Sequence, residues 1–138
     1  MRDVYLWLML GFPAAAIANA WWFGRELRQF VDATPVISST ADLERMKAVV
    51  GRQMVAALVQ IALLAAGPVV LLVGIVRGTL HPADSLYVIV PAAAVIVLSL
   101  GNKAVEARAR SLDAADEELA RQRDSIVETW LKKPLPDW

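Results

Sequence analysis

The sequence contains no cysteine and one histidine, His81, among its 138 residues. Without cysteine, the chain has no disulfides, thiolate metal sites or thiol chemistry. A lone histidine also disfavours a histidine-based metal site within one chain. A formal net charge of zero argues against nucleic acid as a partner. The sequence therefore predicts no metal ion, no other cofactor and no nucleic-acid interface.

Charge is missing from three long apolar segments, Val4–Phe23, Met54–Val76 and Ser85–Gly101. The second segment has 23 residues, and a helix of that length rises ~34 Å, enough to cross a ~30 Å hydrocarbon core. Hydrophobic residues make up 57% of the chain, which exceeds the share in ordinary soluble domains. These features predict an all-α integral membrane protein with three transmembrane helices, the last two of which form a hairpin.

The lack of ionisable side chains inside these segments also bears on function. Ion paths and proton relays are usually marked by a charged or titratable group within the membrane. Paired carboxylates in the spans and a serine–histidine pair at plausible depth are both missing, so the chain is predicted not to be an enzyme. The acidic run of Asp113, Asp116, Glu117 and Glu118 is interpreted as part of a solvated helix.

Lysine and arginine are distributed unevenly around the three spans. Twelve of the 14 lie in the first loop, residues 24–53, or in the C-terminal segment, residues 102–138, and two lie elsewhere. Three spans place that loop and that segment on the same side. The positive-inside rule makes this side cytoplasmic. The prediction is a multi-pass protein of the cell (inner or plasma) membrane, with an outside N-terminus and a cytoplasmic C-terminus.

Small and polar residues within the spans suggest helix packing. Small residues recur at a spacing of four, a pattern that lets transmembrane helices approach closely, although an alanine-rich sequence also produces it by chance. A glutamine in hydrocarbon usually faces another helix. Asn19 is interpreted as an interfacial residue that reaches the headgroups, with an interhelical hydrogen bond as the alternative. A glycine next to Pro68 predicts a kink. The helix-packing candidates are Gly11, Ala15, Ala16, Ala20, Gln60 and Gly67.

The segments outside the spans are predicted to be largely helical. Thr34 and Pro35 should end the first helix, and a second should run from about Ala41 to Val76. Lys103–Lys133 is predicted to form one helix because it is rich in helix-forming residues and lacks glycine and proline. An extended segment with prolines and tryptophan follows. This division gives a three-span membrane domain, residues 1–101, and a cytoplasmic helix with its tail, residues 102–138.

Apolar residues in the C-terminal helix recur every seven positions, but the companion heptad position is poor, which disfavours a coiled coil. The stripe is predicted to lie either on a partner or on the first loop. Trp138 is a further candidate for docking, with a frayed tail as the alternative. The partner-docking candidates are Val105, Leu112, Leu119, Ile126, Trp130 and Trp138.

Aromatic and basic residues meet at the inner end of the first span. Trp21 and Trp22 lie near the end of the apolar run, and Arg25 and Arg28 follow it. This arrangement predicts a site for an anionic lipid headgroup, with ordinary interfacial anchoring as the alternative.

Taken together, these features favour a non-catalytic accessory or scaffold subunit of a larger membrane complex, with other integral membrane subunits and lipid as partners. The alternative is a homo-oligomeric pore. Three spans with an outside N-terminus and a charged cytoplasmic tail are similar to one topological type of holin. That similarity covers topology and no sequence motif.

Overall fold

A computed structural model describes residues 1–138 and shows an all-α protein with four helices. Three of them are long and apolar enough to cross a membrane, which confirms the predicted three-span fold of a multi-pass membrane protein. The helices are α1 (Arg2–Ala33), α2 (Thr40–Val76), α3 (Leu86–Arg110) and α4 (Glu117–Lys132), with a 3-10 helix at Pro82–Ser85 and two-residue strands β1 (Val36–Ile37) and β2 (Asp113–Ala114).

The boundaries of α1 and α2 follow local rules. Helix α1 ends at Ala33, directly before Thr34 and Pro35, as expected from the restriction that proline places on the residue before it. Helix α2 begins at Thr40, one residue before the predicted start, and continues without interruption to Val76. Each long helix also contains an interior proline. Transmembrane helices tolerate such prolines when neighbouring groups satisfy the freed carbonyls.

The chain divides into two compact units. Unit 1 consists of residues 1–21 and 59–100. Its buried cluster is small, with Met9, Leu80 and Val88 at its centre. The turn after α2 ends that helix with a glycine, Gly78, whose φ is +66°. The Gly78 amide donates to the Ile75 carbonyl, and the Thr79 amide donates to the Gly74 carbonyl. This is the Schellman arrangement, in which a glycine takes the left-handed conformation past the helix end.

Unit 2 consists of residues 22–58 and 101–138, and it holds the larger core. Fourteen buried side chains, from all four helices, from β1 and from Leu112 in the segment after α3, form one cluster. The parallel pairing of β1 with β2 links Val36 to Asp113 and Ile37 to Ala114. The largest fully buried side chains of this unit are Leu27, Ile37, Leu43, Met46 and Val50.

The predicted single helix from Lys103 to Lys133 is wrong. Helix α3 ends at Arg110, and α4 begins only at Glu117. The Ser111 hydroxyl donates to the carbonyl of Ala107 at 2.9 Å, a local bond that competes with helix continuation. The Asp116 side chain accepts from the Leu119 amide at 2.8 Å and so caps α4. Part of the acidic run is therefore a helix start, with acids in the first turn where the helix dipole favours them.

Candidate functional site

A polar bond joins α1 to α2 inside unit 1. The Asn19 side-chain amide donates to Gln60 Oε1 at 2.7 Å. The interpretation of Asn19 as an interfacial residue is therefore wrong, because its register on α1 turns it toward Gln60. The other half of the Gln60 amide, Nε2, is buried without a partner. An unsatisfied buried donor is costly in an apolar surrounding.

Leucine substitutions test how much the hydrogen bond between Asn19 and Gln60 contributes to stability. We expect Gln60→Leu to destabilise α1–α2 packing by about 0.6–2 kcal/mol, the range of interhelical hydrogen bonds in membranes. The double variant Asn19→Leu, Gln60→Leu should be less destabilised than the sum of the two single variants, because neither polar group is then left without its partner. The measurement is a double-mutant cycle by denaturant titration in detergent micelles. Strict additivity would show that the two amides do not depend on each other.

The helix-packing candidates divide into an inner and an outer set. Ala16 is fully buried, and Gly67 is buried so closely against Val88 that an added Cβ would lie 3.4 Å from its Cγ1. Ala20 is half-buried. Gly11 and Ala15 are exposed, and a Cβ at Gly11 would meet nothing within 4 Å. The inner set packs within the chain, whereas the outer pair presents a small-residue face on α1.

A second polar contact in unit 1 joins the start of α1 to the 3-10 helix before α3. Arg2 Nη2 lies 3.2 Å from Asp84 Oδ1, and Asp84 is buried. Asp84 also accepts from the His81 amide at 2.8 Å. The Arg77 guanidinium donates to the Tyr5 hydroxyl at 3.4 Å. Sequence reasoning missed these contacts because the partners lie up to 82 positions apart and no local pattern marks them.

The apolar stripe of the C-terminal segment lies inside unit 2. Its four heptad residues are all buried in the same cluster as side chains of the first loop. The second of the two predicted arrangements, packing on the loop, is therefore the one observed. Trp130 packs against this cluster, and its ring lies 5.7 Å from the Arg110 guanidinium, a cation–π distance. The buried stripe consists of Val105, Leu112, Leu119 and Ile126.

The tail after α4 folds back beside α2. A Cβ at Gly51 would lie 3.7 Å from Pro136 and 3.9 Å from the Trp138 indole nitrogen. Trp138 itself remains 45% exposed. The Lys133 ammonium bonds to the Asp137 carboxylate and holds the pKa of that carboxyl below its usual range. The tail thus has defined contacts within unit 2.

The lipid-headgroup candidates are exposed side chains on α1. Trp21 and Trp22 are 54% and 61% exposed, and Arg25 and Arg28 are exposed as well. A shallow cleft of about 350 Å³ is lined by Trp22, Arg25, Glu26 and Gln29. Neither Arg28 nor Trp21 lines it.

Glu26 is a component of this cleft that sequence reasoning missed. Its Oε1 accepts from Arg52 Nε at 2.6 Å and lies 2.5 Å from Arg52 Nη2. Its Oε2 is buried and has no hydrogen-bond partner. The position of Glu26 one residue after Arg25 was the available sequence signal, but its pairing with Arg52 depends on the tertiary structure.

The structure contains no group of three or more His, Asp or Glu side chains that could hold a metal ion. No protein-family model, curated protein or solved structure matches this chain.

Proposed function

We propose that this chain is a non-catalytic accessory or scaffold subunit of a larger membrane complex. It acts through transmembrane helix packing and through its C-terminal cytoplasmic helix. The proposed orientation is an outside N-terminus and a cytoplasmic C-terminus in the cell membrane, on the strength of the lysine and arginine distribution.

The observation that carries this proposal is how little of each span the chain itself buries. In an apolar stretch of 18 residues in each of the three spans, only 17%, 11% and 17% of the residues are buried within the chain. Lipid can cover large apolar side chains as well as protein can. A face of small residues such as Gly11 and Ala15 is different, because it lets another helix approach closely and gain van der Waals contact. A further membrane helix is the proposed occupant.

A homo-oligomeric, holin-like pore is the competing function. A wide aqueous pore needs a polar helix face on each copy. Asn19 and Gln60 bond to each other at 2.7 Å, which directs both amides to the contact between α1 and α2. This arrangement favours the subunit over the pore.

Native mass spectrometry of the protein gently solubilised from its own membrane separates the two functions. Larger proteins at a fixed stoichiometry are the result expected for an accessory subunit. A ring or cluster of this chain alone would reject the subunit and favour the pore, which a dye-leakage assay in liposomes would then test.

A substitution on the outer face of α1 gives a matched test. We expect Gly11→Leu combined with Ala15→Leu to weaken the affinity for the larger partners by at least roughly fivefold. A loss of about 1 kcal/mol of packing corresponds to that factor. A Cβ at Gly11 would meet nothing within 4 Å, and Ala15 is exposed, so the isolated chain should keep its stability. Val69→Leu on α2, also at an exposed position, is the control. Unchanged partner recovery in the α1 variant would remove this face from the interface.

A further inference from the structure

The cleft on α1 combines groups of opposite charge on one helix face. Trp22, Arg25, Glu26 and Gln29 line it, and spacings of three, four and seven residues bring such positions to the same side of a helix. The apolar run ends at Phe23, so the cleft lies where charged residues begin. Tryptophan at such a boundary is typical of the lipid headgroup level.

The carboxylate in the cleft restricts which ligand fits. Arg52 occupies Oε1 of Glu26, while Oε2 has no partner. A carboxylate oxygen without a donor is unfavourable when it is shielded from water. A simple anion would be repelled by this group. A ligand with a hydrogen-bond-donating cation would supply the missing donor.

A zwitterionic headgroup with a primary ammonium satisfies both charges. Its phosphate would accept hydrogen bonds from the Arg25 guanidinium and the Gln29 amide, as charge-assisted phosphate contacts do. Its ammonium would donate to Glu26 Oε2, which requires the carboxylate to turn toward the cleft. A quaternary ammonium has no N–H to donate, so choline headgroups lack this contact.

We propose that the cleft formed by Trp22, Arg25, Glu26 and Gln29 binds the headgroup of an aminophospholipid, of which phosphatidylethanolamine is the simplest. The indole of Trp22, 61% exposed, flanks the headgroup and offers a ring face to the ammonium. The site is independent of the partner proposed for the outer face of α1. It also refines the expectation of an anionic lipid, since Arg28 does not line the cleft.

The test is native mass spectrometry of the full-length protein in detergent after lipid removal. The protein is titrated separately with phosphatidylethanolamine, phosphatidylcholine and phosphatidylglycerol. We expect the ethanolamine lipid to bind roughly fivefold more tightly than the choline lipid, the factor for about 1 kcal/mol of net hydrogen bonding. Glu26→Gln should remove this preference. Arg25→Gln should weaken the binding of both lipids. Arg28→Gln is the matched control and should change neither the preference nor the binding of either lipid.

Three results would overturn the proposal. Equal binding of ethanolamine and choline lipids would show that no group recognises the ammonium. Tightest binding of phosphatidylglycerol would show an anion site instead. Because Glu26→Gln also weakens the pair with Arg52, Arg52→Gln serves as a second variant that keeps the carboxylate. It should retain the ethanolamine preference, and loss of the preference in both variants would assign the effect to structure alone.

Discussion

Ile126→Ala is expected to lower the free energy of unfolding of unit 2 by about 2–5 kcal/mol, the usual cost of truncating a large buried aliphatic side chain. Ile126 is 2% exposed and belongs to the fourteen-residue core. Its removal would leave a cavity next to side chains that cannot fully close around it. A loss of this size is a large fraction of the stability of a typical domain.

Leu131→Ala is the control for this substitution, since Leu131 lies on the same helix and is 60% exposed. It should change stability by no more than roughly 0.5 kcal/mol. Urea titration of both variants in detergent, followed by tryptophan fluorescence, gives the comparison. Equal midpoints for the two variants would contradict the packing of the stripe. If Ile126→Ala instead reduced only the recovery of a partner, the stripe would be a docking surface.

Gly74→Ala is the second substitution with a large expected effect. A Cβ at this position would lie 2.4 Å from Leu80 Cδ1 and 2.6 Å from Leu80 Cγ. Leu80 is buried in the small cluster of unit 1, and its backbone amide donates to the Gly74 carbonyl. Leu80 therefore has to leave its place, and overpacking of this kind costs about 1–3 kcal/mol.

Gly11→Ala tests whether the effect comes from space rather than from helix propensity. Both glycines lie inside helices, where alanine has the higher intrinsic propensity. A Cβ at Gly11 meets nothing within 4 Å, so this variant should be no less stable than the natural chain in detergent. Thermal unfolding of both variants by circular dichroism is the measurement. A lower melting temperature for Gly11→Ala than for Gly74→Ala would contradict the packing at Leu80.

The features that sequence reasoning predicted are those set by length and local chemistry. An uncharged run such as Met54–Val76 has few alternatives to a spanning helix, and Pro35 ends α1 through a steric effect on its neighbour. The recurrence of apolar residues every seven positions, at Leu112, Leu119 and Ile126, also predicted a buried stripe. It could not decide between a partner and the first loop, because periodicity describes one helix face and not what covers it.

The features that it missed depend on contacts between distant residues. The break between α3 and α4 contains neither glycine nor proline, and its strand β2 exists only by pairing with β1. The bond from Asn19 to Gln60 requires the relative register of two helices. The pair of Glu26 with Arg52 also requires this register. Without that pair, the Glu26 carboxylate in the cleft on α1 would be interpreted as one more surface charge.

The composition of the unit 2 core has a consequence for biosynthesis. One half of that core, from Leu27 to Met54, emerges from the ribosome well before the other half, from Val105 to Ile126. Two apolar candidate spans lie between the halves, so the halves can meet only after both spans have been synthesised. Until then the early half exposes apolar surface that chaperones and proteases recognise. Closure of this core therefore requires the whole chain from Leu27 to Ile126, including both intervening spans.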